Sequence, residues 1–173
     1  MHSTGVLRTR RMCFRPLSQA DRELFLELFT CAQTMRYIGA VLTPAQAQSM
    51  FERLRRGDGP AQWRYWALLS LESGRSLGLA SVEAGATVAF GLMMRAAARG
   101  QGLGREAFDA LLAEAVRAAG PARLLVRVHP EHPVMARWVR EAGFQWMGAV
   151  AGQGDLWRRQ ARAARVGNVP FRA

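Results

Sequence analysis

Apolar residues near the N-terminus recur at the three- and four-residue spacing of an amphipathic helix. Ser18 precedes them as a favourable N-cap, and Asp21 falls at the third helical position. The apolar stripe consists of Leu24, Phe25, Leu28 and Phe29. This pattern predicts a helix with one buried face, preceded by a first strand over residues 10–15 that ends at Pro16.

A second helix is predicted from its capping signature. The Thr43 hydroxyl can accept from the backbone of Gln46, whose side chain can reach back to Thr43, and Pro44 suits the first helical position because it lacks an N–H. The helix should end near Arg56, because residues 56–60 form a turn rich in glycine that closes with proline.

The middle of the chain changes to short runs of apolar and aromatic residues, which are typical of strands. Strands are predicted over residues 62–71, 76–83 and 86–94, with turns at residues 73–75 and at Gly85. Strands that follow one another through tight turns pair as hairpins.

The second half alternates between helical and strand patterns. Elements are predicted in the order helix from the 99–104 turn to about residue 119, strand 123–128, helix 133–142, and a closing hairpin of 144–150 with 154–163. Glycines at 120 and 143 mark the ends of the two helices. The whole order predicts an α/β fold, with about seven strands in a mixed, mostly antiparallel sheet flanked by about four helices.

The composition is that of one globular domain. Half of the 173 residues are hydrophobic and 21% are charged, and no apolar run reaches the roughly 20 residues of a membrane span. The first 15 residues carry four arginines without an apolar segment behind them, so they do not resemble a signal peptide. We therefore expect a single cytoplasmic domain over residues 1–173, with a loose tail at 164–173.

The two cysteines predict neither disulfides nor a metal site. Cys13 and Cys31 form no framework and lack the spacing of metal ligands. Free cysteine is among the most buried residue types, so we expect both to lie in the core.

The charge balance is strongly basic. The chain has 24 basic and 13 acidic residues, a net charge of +11, and every basic residue is arginine. The arginines are spread from Arg8 to Arg172 rather than gathered in one run. This distribution fits a solvated basic surface, and it also fits an anionic partner such as a phosphorylated cofactor, an acidic substrate or ribosomal RNA.

A glycine-rich turn lies between a predicted strand and a predicted helix, with the sequence RGQGLG over residues 99–104. The first turn of a helix has N–H groups without internal partners, and the helix dipole adds partial positive charge there. Glycines allow phosphate oxygens to approach the backbone closely. The turn therefore predicts a site for a diphosphate.

Two other phosphate-binding motifs fit this turn poorly. A Walker A loop ends in Gly-Lys-Ser or Gly-Lys-Thr, and this chain has no lysine. A dinucleotide-binding fingerprint has the spacing Gly-x-Gly-x-x-Gly, whereas the glycines here are Gly100, Gly102 and Gly104. A helix N-terminus with incidental glycines is the alternative without a ligand.

Three segments of the chain resemble the GNAT superfamily of N-acetyltransferases. Residues 91–107, GLMMRAAARGQGLGREA, resemble its acetyl-CoA-binding motif, Arg/Gln-x-x-Gly-x-Gly/Ala. Residues 129–144, HPEHPVMARWVREAGF, look like its fourth-helix motif, which ends in Gly-Phe. Residues 7–21, LRTRRMCFRPLSQAD, are similar to the start of the ribosomal-protein-alanine N-acetyltransferase branch.

The resemblance implies a single-domain GNAT fold that takes acetyl-CoA as its acyl donor and holds no metal. Strand 86–94 would diverge from strand 123–128, the pantetheine arm would lie in the gap, and one main-chain N–H of the first strand would face the thioester oxygen. The implied CoA-binding residues are Leu92, Met93, Met94, Arg99, Gly100, Gln101, Gly102, Leu103, Gly104, Arg105, His132 and Arg137. A surface role without a ligand remains open for the two arginines on helices, Arg105 and Arg137.

Two side chains are candidates for acid–base work on the acceptor amine. Glu83 ends the strand before the motif strand and can act through a water, or it can be a solvated hairpin charge. His129 follows the fifth strand and has a suitable pKa for a base, or it can be an ordinary loop histidine.

The sequence also departs from the family at positions that carry proton transfer. Met135 stands where a serine is usual in the branch, and residues 86–94 contain no acidic residue. Many members use a late tyrosine, but the two tyrosines here are Tyr37 and Tyr65, both early in the chain. The proton donor for the CoA thiolate is therefore unassigned.

We predict transfer of an acetyl group from acetyl-CoA to a primary amine, by direct attack in a ternary complex. The amine is a protein N-terminal α-amine or that of a small molecule. The alternatives are a non-catalytic acyl-CoA-binding module and a basic nucleic-acid binder. We expect no membrane partner, and nucleic acid only through association with the ribosome; homodimer formation is left open.

Overall fold

Two antiparallel sheets form the framework of the computed structural model, which describes residues 5–57, 63–84, 88–119, 124–151 and 154–159. The strands of the first sheet are β1 (Leu7–Arg8), β2 (Met12–Pro16), β3 (Trp63–Ser70), β4 (Ser76–Ala84) and β5 (Val88–Met94), in that spatial order. The strands of the second are β6 (Leu125–Val128), β7 (Phe144–Val150) and β8 (Gly154–Arg159), in the order β6-β8-β7.

The two sheets meet at β5 and β6 but do not join there. Each of these strands is the edge of its own sheet, and the two lie side by side. Among the described residues they form no hydrogen-bonded pairing with each other. The main-chain groups of β5 that face β6 are therefore not used by sheet hydrogen bonds.

Within the described ranges, five α-helices cover the sheets. They are α1 (Arg22–Thr30), α2 (Ala32–Met35), α3 (Pro44–Arg56), α4 (Leu103–Ala119) and α5 (Pro133–Glu141). The capping signature of α3 forms as predicted, with Gln46 N–H donating to the Thr43 hydroxyl at 3.2 Å and Thr43 N–H donating to the Gln46 side chain at 2.9 Å. A left-handed glycine, Gly57, ends α3, and Gly143 follows α5 with φ of 82°.

The alternation of side chains along the first sheet separates two apolar cores. Ala67, Leu79 and Met93 are cross-strand neighbours on β3, β4 and β5, and they pack under α1 and α3. The next row, Trp66, Ala80 and Leu92, faces the opposite side and packs with α4. The central strands are thus buried on both faces, which holds β5 in place beside the glycine turn.

The described residues differ from the sequence prediction in the first helices and strands. The first strand begins at Met12 instead of residue 10, because Thr9 N–H bonds the Met12 carbonyl in a turn that lets β1 fold back onto β2. Helix α1 follows a single 3-10 turn at Gln19–Asp21, and the short helix α2 was not predicted. The predicted α/β fold with mostly antiparallel strands flanked by helices is confirmed; the strand pairings within the described ranges are antiparallel and are divided between two sheets instead of lying in one.

The prediction that both cysteines are buried was also wrong. Cys13 and Cys31 are partly exposed. On β2 the neighbours Met12 and Phe14 take the buried positions, so alternation turns Cys13 to the other face. Cys31 lies at the corner between α1 and α2.

Some predicted features lie outside the described residues. They are the turn at Gly85, the end of the third predicted helix at residues 120–121, and the tail at 164–173. In the part of the chain that is described, no helix has both the length and the apolar character needed to cross a membrane.

Candidate functional site

The glycine turn between β5 and α4 presents a row of free main-chain donors. Gly100 and Gly102 both have φ of 75°, a left-handed conformation that side chains with a Cβ rarely adopt. Within the described residues, the N–H groups of residues 100–105 form no hydrogen bond, and the helical ladder starts with Glu106 N–H to the Gly102 carbonyl. These donors lie at the positive end of a 17-residue helix, so the turn suits an anion.

The third glycine of the motif has a different role. A Cβ on Gly104 would lie 3.3 Å from Cη2 of Trp138 on α5, so the missing side chain lets Trp138 pack against the first turn of α4. Gly100, by contrast, has no atom within 4 Å of the position of a Cβ. The space beside Gly100 is therefore open to a ligand.

Arg99 directs its side chain away from the open face of the turn. Its guanidinium donates to the Met94 carbonyl at 2.9 and 3.1 Å and to the Thr34 hydroxyl at 3.0 Å. Since Met94 ends β5 and Thr34 lies on α2, Arg99 ties these two elements to the start of the turn. Arg99 therefore contributes to the candidate site by holding the start of the turn in place and by adding positive charge near it.

The predicted arginine ligands on the helices are engaged with carboxylates. Arg105 bonds Asp109 at 3.0 Å and also bonds Glu141, and these hydrogen bonds raise its pKa above the ordinary value. Arg137 lies 3.8 Å from Glu141, at an exposed pair. Both arginines thus share Glu141 near the start of α4, and neither side chain is buried.

The predicted CoA-contacting segment of β5 lies at the split between the sheets. Leu92 and Met93 alternate between the two cores, so their side chains are packing residues. Gly78 pairs with Met94, and a Cβ on Gly78 would come within 2.1 Å of the Met93 carbonyl oxygen. Only a glycine allows β4 to lie this close to the end of β5.

Glu83 lies on β4 between its cross-strand partners Trp63 and Ala89. By alternation it shares the face of Leu79, which is the face under α1 and α3. Burial, and then the charge of Glu83, raise the pKa of Tyr65 above its ordinary value. Since Ala89 is five residues before Met94, Glu83 lies roughly 17 Å along the strand from Met94, the last residue of β5.

Two histidines and a tyrosine meet at the other side of the split, where β6 ends. The Tyr37 ring lies 4.5 Å from the His132 ring and 5.4 Å from the His129 ring, between centroids. His132 caps α5, its Nδ1 accepting from Met135 N–H at 3.3 Å, and His129 Nδ1 accepts from Glu131 N–H at 3.2 Å. Burial lowers the pKa of His132, with a smaller contribution from His129, so His132 favours its neutral form.

These hydrogen bonds assign the tautomers of both rings. A neutral imidazole that accepts at Nδ1 carries its proton at Nε2, so each ring presents an N–H donor on its free side. The Tyr37 hydroxyl has no hydrogen-bond partner within the described residues. The cluster therefore offers three donor groups at the end of β6.

Sequence reasoning missed three residues of this region. Tyr37 lies earlier in the chain than the tyrosine that many family members use, Thr34 lies on a helix that the sequence pattern does not predict, and the pattern assigns Arg11 only to a strand. Arg11 donates to the Gln101 carbonyl at 2.9 Å and pairs with Glu106 at 2.8 Å. These contacts join residues far apart in the chain, so no local pattern in the sequence marks them.

Segment 31–37 spans the split between the two sheets. Thr34 accepts from Arg99 at the end of β5, and Tyr37, three residues later, packs on the histidines at the end of β6. Through Thr34 and Tyr37, this segment thus connects the end of β5 and the start of the glycine turn with the histidines at the end of β6. Glu83 lies farther along β4. Whether the predicted residues bind CoA or act in catalysis stays a prediction.

Comparisons with known proteins agree with this architecture. The family model described as acetyltransferase (GNAT) domain matches residues 11–145, which is more than half of the chain. A GNAT-family acetyltransferase from Bordetella pertussis is 25% identical, with a TM-score of 0.71 over 90% of this chain and 99% of that one. A search by sequence among proteins of curated function finds no match.

Two structures solved with coenzyme A share the fold at lower identity. Spermidine N-acetyltransferase from Vibrio cholerae, in complex with CoA and spermine, is 16% identical, with a TM-score of 0.73 over 87% of this chain and 94% of that one. A ribosomal L7/L12 alpha-N-protein acetyltransferase in complex with CoA is 11% identical, with a TM-score of 0.71 over 90% and 97%. The match of the family model over most of the fold, together with the split sheets and the glycine turn, shows that the chain belongs to the GNAT acetyltransferase family.

Proposed function

We propose that this protein transfers an acetyl group from acetyl-CoA to a primary amine, by direct attack in a ternary complex. The observation that carries the proposal is the row of unpartnered N–H groups over residues 100–105, at the N-terminus of α4. The diphosphate of CoA needs several convergent donors, and the unpartnered N–H groups of this turn are suited to supply them. The open position beside Gly100 gives phosphate oxygens room to approach.

The thioester would lie in the split between β5 and β6. Attack by the amine places negative charge on the carbonyl oxygen, and a fixed N–H donor at that oxygen is worth about 2.7–4 kcal/mol. The candidate main-chain donor lies within Leu92, Met93 and Met94, where β5 has one edge without a paired strand among the described residues. Their role belongs to the main chain, because the side chains of Leu92 and Met93 pack in the cores.

We assign the proton donor that the sequence left open to Tyr37. The amine nitrogen attacks the carbonyl carbon and loses its proton to a base, while the carbon–sulfur bond breaks and the CoA thiolate takes a proton from the Tyr37 hydroxyl. This hydroxyl is free among the described residues, and its ring is held by His129 and His132. Glu83 and His129 remain the candidates for the base, with His129 first needing to release its bond from Glu131.

The acceptor that we favour is a protein N-terminal α-amine, and a small-molecule amine is the second class. An α-amine with a pKa near 8 needs less help from a base than a lysine-type amine near 10.4, which suits a site without a strong base. The net charge of +11 disfavours a polycation such as the spermine bound to the Vibrio cholerae enzyme. The similarity in fold to the ribosomal L7/L12 acetyltransferase supports the first class.

A non-catalytic acyl-CoA-binding module is the alternative. Met135 replaces the usual serine, and β5 contains no acidic residue. Such a module would keep the glycine turn and bind CoA, but it would not release free thiol in the presence of an amine.

Turnover measured with an amine panel separates the two functions. The panel should hold peptides with free and blocked N-termini, small monoamines and a polyamine, and a thiol reagent would follow free CoA. We expect acetyl-CoA-dependent thiol release with at least one class of amine. Calorimetric binding of acetyl-CoA without any turnover supports the module, and absence of both overturns the proposed site.

A further inference from the structure

Arg11 holds the main chain of the glycine turn on the side opposite its free N–H groups. Its Nη1 donates to the Gln101 carbonyl at 2.9 Å, and its Nε and backbone N–H donate to the two carboxylate oxygens of Glu106 at 2.8 and 2.9 Å. Glu106 lies in the first turn of α4, and Arg11 directly precedes β2. One arginine thus connects the first sheet with the turn and with the helix that follows it.

The direction of this contact decides where the turn points its donors. The peptide bond between Gln101 and Gly102 is trans, because the described chain has no cis peptide bonds. In a trans peptide the C=O and the N–H point in opposite directions. With the Gln101 carbonyl held by Arg11, the Gly102 N–H must point to the opposite side of the turn.

The position of the guanidinium supports the same geometry. Nη2 of Arg11 lies 3.4 Å from the position that a Cβ on Gly102 would take. Arg11 therefore occupies the inner side of the turn and leaves the side with the free N–H groups open.

The ion pair also removes an electrostatic conflict. Desolvation of Glu106 raises its pKa, but hydrogen bonds from Thr9 and Arg11 outweigh this effect and lower the pKa to about 2. The carboxylate is therefore charged at neutral pH. A bare carboxylate in the first turn of α4 would repel a diphosphate bound there. Arg11 neutralises Glu106 and holds it against β2.

We propose that Arg11 is a positioning residue for the diphosphate site, which it acts on through the Gln101 carbonyl and Glu106. The inference rests on the proposed function, because it needs CoA to bind at this turn. It goes beyond that function by assigning the orientation of the donors to a residue outside the glycine motif.

The test compares acyl donors with and without a diphosphate. In Arg11→Gln, kcat/KM for acetyl-CoA should fall roughly tenfold or more, the loss expected for a hydrogen bond to a charged group. The kcat/KM for S-acetylpantetheine, which has no phosphate, should stay within twofold of the wild-type value. Arg11→Lys keeps the charge beside Glu106 but replaces the guanidinium fork with one ammonium nitrogen, which cannot occupy the Nη1 and Nε positions at once. Its kcat/KM for acetyl-CoA should therefore lie between the wild-type value and that of Arg11→Gln.

Arg15→Gln is the matched control. Arg15 lies on the adjoining strand β2 and pairs with the buried Asp21 at 2.7 Å, without contact to the glycine turn. We expect this variant to lose stability, while the ratio of kcat/KM between the two acyl donors stays unchanged.

The outcomes distinguish the inference from the function beneath it. An equal fall for both donors in Arg11→Gln, or no fall for acetyl-CoA, would overturn the positioning role. Wild-type protein that binds no CoA in calorimetry would overturn the proposed function and this inference with it. If Arg11→Gln folds poorly, Arg11→Lys serves for a second measurement, the shift of the Gly102 amide resonance during titration with inorganic pyrophosphate. The shift should be smaller in Arg11→Lys than in the wild-type protein. An equal shift counts against the proposal.

Discussion

The guanidinium of Arg99 covers the carbonyl oxygen of Met94, with Nη2 at 2.9 Å and Nε at 3.1 Å. This carbonyl is the last main-chain acceptor of β5, at the point where the two sheets separate. The same Nη2 donates to the hydroxyl of Thr34, which is buried. Arg99 therefore stabilises the start of the glycine turn against two elements at once.

Arg99→Ala should lower the free energy of unfolding by about 1–3 kcal/mol, because the buried Thr34 hydroxyl and the Met94 carbonyl lose their charged donor. Chemical denaturation measures this change. Arg137→Ala is the control, since its pair with Glu141 is long and exposed and should contribute less than about 1 kcal/mol. Equal losses in the two variants would contradict the structural role of Arg99.

Gly100→Ala should reduce the affinity for acetyl-CoA about tenfold or more, because a methyl group would stand where phosphate oxygens approach and would weaken a hydrogen bond to a charged group. Isothermal titration calorimetry measures the affinity. Gly57→Ala is matched to it: Gly57 has φ of 78° and an equally open Cβ position, but it ends α3.

Both glycine variants should lose a similar free energy of unfolding, about 1–2 kcal/mol, from the left-handed conformation. Only Gly100→Ala should lose affinity. A comparable loss of affinity in Gly57→Ala would show that the effect comes from stability and not from the site.

Tyr37→Phe should lower kcat by about 10²–10⁴-fold while the dissociation constant of acetyl-CoA stays unchanged, because the phenyl ring keeps its packing on the histidines and loses only the proton. Steady-state kinetics and calorimetry give the two quantities. Full activity in Tyr37→Phe would exclude Tyr37 as the proton donor. A changed dissociation constant for acetyl-CoA would mean that the Tyr37 hydroxyl takes part in CoA binding instead.

The stability of the protein should fall as the pH drops below the ordinary histidine pKa near 6.5. Burial lowers the folded-state pKa of His132, so the unfolded chain binds the proton more readily, and the free energy of unfolding decreases between 6.5 and the lower folded pKa. Above pH 6.5 the contribution is fully present.

His132→Asn should flatten this part of the profile, because asparagine can still cap α5 through its side-chain oxygen but does not titrate. Melting temperatures measured from about pH 5 to pH 8 provide the comparison. An unchanged slope in His132→Asn would mean that another group causes the acid sensitivity.

Local signals in the sequence located most of the elements. The capping box at Thr43, the glycine that follows α5 and the hairpins of the first sheet depend on neighbours in the chain, so their patterns are readable in sequence. The short strand β1 and the helix α2 were not predicted, because each has only a few residues and gains its stability from packing on other elements.

The candidate site divides in the same way. The glycine turn was predicted because backbone conformation and free N–H groups follow from residue types within six positions of the chain. Two contacts could not be predicted from spacing, because they join distant segments of the chain. They are the packing of Tyr37 on His129 and His132 and the hydrogen bond from Arg11 to the Gln101 carbonyl.

By itself the sequence determined where a helix N-terminus with free donors lies, and so the place where an anion is predicted to bind, since a helix N-terminus behind glycines carries its donors wherever the helix is placed. The tertiary structure alone decided which side of the turn those donors face and which side chains reach the split between β5 and β6. The physical reason is that orientation across the site depends on how the two sheets and segment 31–37 pack, and packing involves residues that are close only after the chain has folded.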